Sequence, residues 1–467
     1  MCYYARIDPS AVPLFFSAAA VQTTTNDRFL MLTLKENSGT ALMTDFRPLR
    51  AWRYNPGKVN IQDVIAPPYD VISEAAQGKF YEASPYNCIR LILNKIRPDD
   101  SETGNRYTRA LGHWNAWRQE GVLIQEAGPA FYLYVQNYRD KTSGQMKERT
   151  ALFGRMKLEP FEKGIVIPHE KTLAKPREDR MKLLKATGTN FSPIFGLYEG
   201  AQRRLTPVWE RQRAAAAPLY DAEDGEAVRH RVWKIDADAD IRKIRDAVRQ
   251  EKIYIADGHH RYTTALEYAR RMKEMPGAER DEEAGSDFVL TALVAFHDPG
   301  LMLMPTHRLL QAWPGWDPDA LFKKLEPHFD LRRMPLEKAA AERAQKSSSI
   351  SDPAFFYYGG GSEALMISLK SPDTMREKLK TRKPDVWCRP DVNIFSELVL
   401  GALWGFSEAD RQSRLFYTHS DGEALEAVKT GKAVAAFLMK TPRVEILREM
   451  GRAGELMAQK STYFYPK

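Results

Sequence analysis

Residues 232 to 272 alternate twice between a short apolar run and an amphipathic stretch, and this alternation constrains the fold more than any other feature of the chain. Val232 to Ile235 reads as a strand, Asp240 to Gln250 as a helix and Ile253 to Ala256 as a second strand, and a second helix starts at His259. Strands that alternate with helices need a sheet on which those helices pack, so the pattern predicts α/β architecture. In the second helix Ala265, Leu266, Ala269 and Met272 share one face. Between strand and helix stand Asp257, Gly258, His259, His260 and Arg261, which include two of the chain's nine histidines.

Other stretches add elements to this frame. "AFYLYVQNY" (130–138) and "RTALFGRMKL" (149–158) read as paired strands around a polar turn. A helix is expected within 103–120, another around Glu178 to Ala186, a strand around Pro193 to Tyr198, and a helical or mobile stretch over 200–216. Pro67-Pro68 bars a helix and stiffens the loop that carries Asp70. Beyond Gln311 the sequence restarts as a mixed unit. The expectation is an α/β to α+β chain with a mixed sheet: a core over 43–311 that carries the site, and a smaller α+β C-terminal domain over 312–467. Residues 1–42 are expected to be a disordered or mistranslated leader; "AVPLFFSAAAVQ" weakly resembles a secretory signal, and Met43 offers a second start.

Composition narrows the function classes. With 467 residues, 43% hydrophobic and 28% charged, the chain can build two or three real cores. A net charge of +8, spread along the chain, suits nucleotides and phosphorylated metabolites and makes no basic stripe for nucleic acid. Cys2, Cys88 and Cys388 form no CxxC pair, which fits a reducing compartment such as the cytoplasm. No apolar run is long enough to span a bilayer, so no membrane partner is expected. Walker A, GxGxxG, HExxH and GxSxG patterns are missing.

The turn at Gly258 is the first candidate site. A helix start there has N–H groups without internal partners, ready for a phosphate oxygen. Asp257 is placed to cap the helix, to contact magnesium or to meet the acceptor, His259 to exchange a proton, and His260 and Arg261 to hold phosphate. In "IPHEKTLAKPREDRMKLL" (167–184), Lys171, Lys175, Arg177 and Arg180 suit a polyphosphate, and Glu170 a proton or magnesium; the alternative is a charged loop running into an amphipathic helix, though Pro168 and Pro176 fix a loop that otherwise needs no fixing. Asn190 and Ser192 are placed to orient a substrate. "MPTHRLL" repeats the pairing of histidine and arginine at His307 and Arg308, for anion binding or for closing a strand end. Asp70 serves substrate, metal or a local turn. "QKSTYFYPK" carries Lys460, Ser461 and Thr462 with no chemical role assigned.

"DGHHRYTTAL" resembles the strand–loop–helix phosphate motif of the ParB/sulfiredoxin-like superfamily, roughly Gly-x-x-Arg-x-x-Ala, and within it the Asp-Gly-His-x-Arg version of the free serine kinases. Gly258 and Arg261 match the superfamily residues, and Asp257 and His259 the kinase version; the pattern's alanine falls at Thr264, with Ala265 next to it. Over a longer span "APPYDVIS", "PHEKTLAKPREDRMKLLKATGTNFSPIFGLY", "ADGHHRYTTAL", "FHDPGLMLMPTHRLL" and "KSTYFYPK" occur in this order and resemble a large bacterial conserved-protein family, that of domain of unknown function one thousand and fifteen. The kinase resemblance implies a nucleotide-dependent phosphotransferase for a small hydroxylated metabolite, perhaps free serine, with Mg2+ and ATP or ADP as cofactors. Asp257, His259, Glu170 and Asp70 would then be its catalytic set, with Asp257 also a metal ligand. Two other readings stay open. One is a metal-dependent hydrolase in which His169, His259 or His260, and His307 converge on zinc or manganese. The other is a ParB-like nucleic-acid-binding protein, disfavoured by the lack of a helix-turn-helix or RNP motif. A homodimer is compatible with each.

Overall fold

The strand Ile253–Asp257 sends Ile253 and Ile255 to one side and Tyr254 and Ala256 to the other, and all four are buried. A strand covered on both faces must lie inside a layered fold. The computed structural model describes residues 3–6, 43–141, 143–275, 285–347 and 352–467. In it this strand belongs to a nine-stranded mixed sheet. The order across the sheet is Tyr220–Glu223, Arg229–Ile235, Phe131–Arg139, Met146–Lys157, Phe288–Ala295, Ile194–Tyr198, Ile253–Asp257 and Val166–Ile167, with Phe46–Arg47 beside Met146–Lys157. Phe288–Ala295 runs parallel to Ile194–Tyr198, and Ile253–Asp257 parallel to Val166–Ile167; the other pairs are antiparallel.

The helices Gln202–Ala215, Asp238–Val248 and His259–Lys273 cover one face, placing Trp209, Val248, Tyr262 and Ala265 against Ile253 and Ile255 in one core. The stretch expected to be helical or mobile over 200–216 is thus a helix with a buried face. The opposite face is covered by chain from the far end of the sequence: Ile446, Leu447 and Met450 of the helix Glu445–Arg452, then Met457 and Phe464. A Cβ on Gly451 would lie 2.5 Å from Ile167 Cγ2, so only glycine lets this helix approach so closely. Burial of the three side chains, at about 1.5–3 kcal/mol each, makes the returning segment a permanent part of the core.

The C-terminal half has its own six-stranded antiparallel sheet, ordered Phe329–Pro335, Glu363–Leu369, Ala354–Tyr358, Ala435–Leu438, His307–Leu310 and Leu415–Thr418. His307–Leu310, expected within the preceding core, is an inner strand of this sheet, because its four buried residues need neighbours on both sides. Tyr3–Arg6 likewise departs from the expected leader. It pairs with Trp52–Tyr54 and Thr189–Asn190, and Tyr4 is buried edge-on against Trp114 and Phe191. The rest of the expected leader, residues 7–42, lies outside the described residues. Among the described residues no helix is long and apolar enough to cross a membrane.

Candidate functional site

At Asp257 the strand stops and Gly258 turns the chain at φ 95°, ψ 23°, a left-handed conformation that favours glycine. A Cβ there would also press on the Arg261 guanidinium at 3.1 Å. The helix His259–Lys273 begins at once, with no side chain capping it. Asp257, expected to cap it, instead accepts from the Gly258 N–H at 2.7 Å through Oδ1 and from the Lys467 ammonium through Oδ2. Burial pushes the Asp257 carboxyl up, but Lys467 and Arg261 outweigh it and hold the group well below the usual carboxylate range. Arg261 donates to the Pro193 carbonyl and lies 3.7 Å from Asp257. The helix start therefore presents bare N–H groups and a fixed cation to whatever occupies the space before it.

That space is a cleft of about 1230 Å³ between the core and the C-terminal sheet, closed on one side by the returning segment. Asp70, Glu170 and the 257–261 turn form its core wall, Tyr417 to Asp421 the opposite wall, and Lys460 reaches in from the returning segment. Lys460 has φ 55°, a left-handed conformation that a side chain makes costly. Its N–H donates to Glu170 Oε1 at 3.0 Å, and its carbonyl accepts from Arg308 Nη2 at 3.0 Å, so both neighbours enforce the strained geometry. Burial acts to lower the Lys460 ammonium pKa, but Asp70, Glu170 and Asp257 outweigh it and raise it. Glu170 moves up because burial outweighs the pull of Lys460, which suits a carboxyl that takes and returns a proton.

The histidines are arranged as supports. His169 is buried, with Nδ1 2.7 Å from the Ile255 carbonyl and Nε2 2.9 Å from Thr462 Oγ1. His259 meets it edge-on at 4.5 Å between centroids and accepts from the His169 N–H at 3.3 Å through Nε2. His260 accepts from the Leu173 N–H at 2.9 Å through Nε2, fixing the loop after Glu170. Burial holds His169 and His260 down at about 4 and His259 well below its ordinary value, so all three are neutral imidazoles at neutral pH. His260 lines the cleft as a neutral imidazole. In the C-terminal sheet His307 accepts from the Met439 N–H at 3.1 Å through Nδ1, leaving Nε2 to donate to Asp421 at 2.7 Å. Arg308 is buried and donates to the carbonyls of Thr306 and Lys460. This pair opens the strand His307–Leu310, with its polar atoms spent on the fold and Arg308 holding the Lys460 carbonyl.

His169, His260 and His307 thus spend ring nitrogens on hydrogen bonds that hold the fold, and among the described residues no three His, Cys, Asp or Glu groups are disposed to hold a metal. Convergence of these histidines on zinc, expected of a hydrolase, does not occur there. Magnesium asks for less: one or two carboxylates, with phosphate oxygens and water completing the shell. Asp70 and Glu170 on the cleft wall fit that demand, whereas both oxygens of Asp257 are already engaged.

The remaining expected residues divide sharply. Lys171, Lys175 and Arg177 are exposed and do not line the cleft, which corrects the polyphosphate reading: they lie on the wet side of the loop and of the helix Ala174–Thr187. Arg180 is buried, bonded to Asp179 and to the Ile92 carbonyl at 3.0 Å, and lies 3.8 Å over the Tyr69 ring, so it backs the cleft wall from behind. Asn190 pairs with the Tyr3–Arg6 strand and reaches neither cavity. Ser192 lines a second, inner cavity of about 130 Å³, which shares Asp257, Arg261 and Lys467 with the cleft and adds Gln136 and Arg149. Lys460, Lys467 and Arg149 were not assigned from sequence. The only signal was the pair of lysines in "KSTYFYPK", whose partners stand at positions 170 and 257.

A model of the family described as "Protein of unknown function (DUF1015)" matches residues 46–393. No curated protein matches the chain. Among solved structures, a conserved hypothetical protein from Pyrococcus furiosus is 13% identical with a TM-score of 0.33, covering 67% of this chain and 90% of that one. A free serine kinase in complex with AMP is 13% identical with a TM-score of 0.34, covering 67% and 86%. A variant free serine kinase in complex with ADP gives 13%, 0.35, 67% and 87%. At such scores the geometry of the site carries the functional reading.

Proposed function

The chain belongs to the DUF1015 family, and we propose that this member is a nucleotide-dependent kinase of a small hydroxylated metabolite, with free serine the first acceptor to test. The observation that carries the proposal is the uncapped helix start behind left-handed Gly258, opening onto a cleft that also holds Arg261, Lys460, Asp70 and Glu170. Phosphoryl transfer depends mainly on positioning and on stabilising spread negative charge. The bare N–H groups and Arg261 suit the transferred phosphate, and Lys460 suits the charge that builds on the leaving oxygen. Glu170 takes the proton of the acceptor hydroxyl while the acceptor oxygen bonds to phosphorus. The bond from phosphorus to the bridging oxygen breaks, and the shortened nucleotide leaves with that electron pair. Magnesium, when bound, neutralises phosphate oxygens, and Asp70 is the carboxylate best placed to hold it. His169 and His259, neutral and interlocked, keep the Glu170 loop against the turn. The Asp-Gly-His-x-Arg resemblance supports the same reading.

The test is calorimetric titration with ATP and ADP, with and without magnesium, on the wild type, Gly258→Val and Lys460→Ala. Micromolar, magnesium-sensitive binding weakened by about tenfold or more in either variant is expected. Transfer of a radiolabelled terminal phosphate to serine or another small alcohol completes it. A wild type that binds neither nucleotide rules the kinase out.

A further inference from the structure

We propose that the inner cavity behind Asp257 and Arg261 binds the carboxylate of a small hydroxy acid, with the buried Arg149 guanidinium as its recognition group. The proposal names the acceptor class of the kinase reading and rests on that reading for its place in the reaction, though not for the binding itself.

The argument starts from a charge without a counterion. Arg149 sits in the strand Met146–Lys157 and is 6% exposed. Its hydrogen bonds go to neutral acceptors: Gln136 Oε1, the Tyr465 carbonyl at 3.3 Å and the Pro466 carbonyl. Among the described residues no carboxylate forms an ion pair with it. The acid that acts on it from nearby, Asp298, spends its oxygens on the N–H groups of Thr150 at 3.1 Å and Gly300 at 2.8 Å. A cation withdrawn from water without a counterion is expensive, and clamping two carbonyls does not require a full charge; a neutral amide would do it. An arriving carboxylate supplies the missing charge and can take the Nη1 N–H that these four bonds leave over.

The cavity sets the size of the ligand. It measures about 130 Å³, and a cavity of roughly 150 Å³ holds benzene, so about five heavy atoms fit inside and only a short acid can be seated with its far end toward the cleft. Phe153, Phe195 and Phe464 give it apolar walls, and Ser192 adds a hydroxyl. Asp257 and Arg261 line both this cavity and the cleft. A carboxylate on Arg149 therefore directs the other end of a short acid toward the turn where the phosphate is held. A phosphorylated metabolite or a sugar is too large for this space.

Calorimetric titration without nucleotide decides the matter, with L-serine, glycerate and lactate as probes and glycerol and lactamide as uncharged controls. The acids are expected to bind about tenfold or more tightly than the controls. Arg149→Gln, which keeps donors but removes the charge, and Ser192→Leu, which fills the cavity and leaves Arg149 intact, should each weaken the acids by about tenfold while ADP binding stays within about twofold. If Arg149→Gln does not fold, Ser192→Leu decides. Acids that bind no better than the controls, or that bind both variants as they bind the wild type, overturn the proposal. Acid binding with no nucleotide binding sinks the kinase reading and leaves the carboxylate pocket standing.

Discussion

Two segments of this chain set a histidine beside an arginine next to a strand, and the fold treats them in opposite ways. At 257–261 the strand ends, Gly258 reverses the backbone, and a helix begins with its N–H groups uncapped before an open cleft. At 306–308 the strand His307–Leu310 begins, and alternation sends His307 and Arg308 to opposite sides, where both are buried and bonded to Asp421, Met439 and backbone carbonyls. The residue types are the same. The first segment offers unpaired backbone and partly engaged charge; the second has spent its polar atoms on the fold. A site is thus made by what the backbone leaves unsatisfied, not by how polar the side chains are.

The two segments meet at Lys460, whose N–H is held by Glu170 beside the first and whose carbonyl is held by Arg308 of the second. The largest effect is expected there. Lys460→Gly removes the ammonium but relieves φ 55°, so turnover should fall by about 100-fold or more while stability to urea rises by roughly 1 kcal/mol. Retained turnover would detach the returning segment from the chemistry. His307→Leu strips partners from the Met439 N–H and Asp421, at a cost of about 2–4 kcal/mol in urea unfolding, with nucleotide affinity unchanged within about threefold. A folded His307→Leu protein with weak nucleotide binding would erase the contrast between the segments. Gly258→Ala should cost about 1–2 kcal/mol and weaken ADP about tenfold, because the side chain is strained at φ 95° and pushes Arg261.

Much of the fold was legible because its signals are local. Residues 253–256 carry apolar side chains on both faces, and the helix that follows declares itself by Ala265 and Ala269, which enter the same core as Ile253 and Ile255. The Gly258 turn was legible for the same reason. Lys171, Lys175 and Arg177 misled because basic residues on the wet side of a loop and of the amphipathic helix after it read like a phosphate cluster until the cleft is located. The lysines that do face the cleft lie 290 and 210 positions from the carboxylates they meet, a pairing that no periodicity encodes. Asp257 illustrates the middle case: its place at the turn was legible, but its engagement by Lys467 rather than by the helix start was not.

The smallest expected effect separates the two segments by pH. Glu170 is raised by burial against the opposing pull of Lys460, and a base must be ionised to work, so turnover should climb with pH through a value above the usual carboxylate range. Its contribution to stability runs the other way. The folded state holds the Glu170 proton more tightly than the unfolded chain, so that contribution is present below the unfolded value and lost as pH rises through the folded one. His307 is lowered by burial, so the unfolded chain binds its proton first and its contribution to stability is lost as pH falls below the ordinary histidine value. Glu170→Gln should therefore abolish the acid limb of the rate profile, whereas His307→Leu should leave that limb in place and remove part of the slope of stability between neutral and mildly acid pH. Rate profiles and urea midpoints of both variants across this range check the pair; an acid limb that moves with His307 would place the second segment in the chemistry.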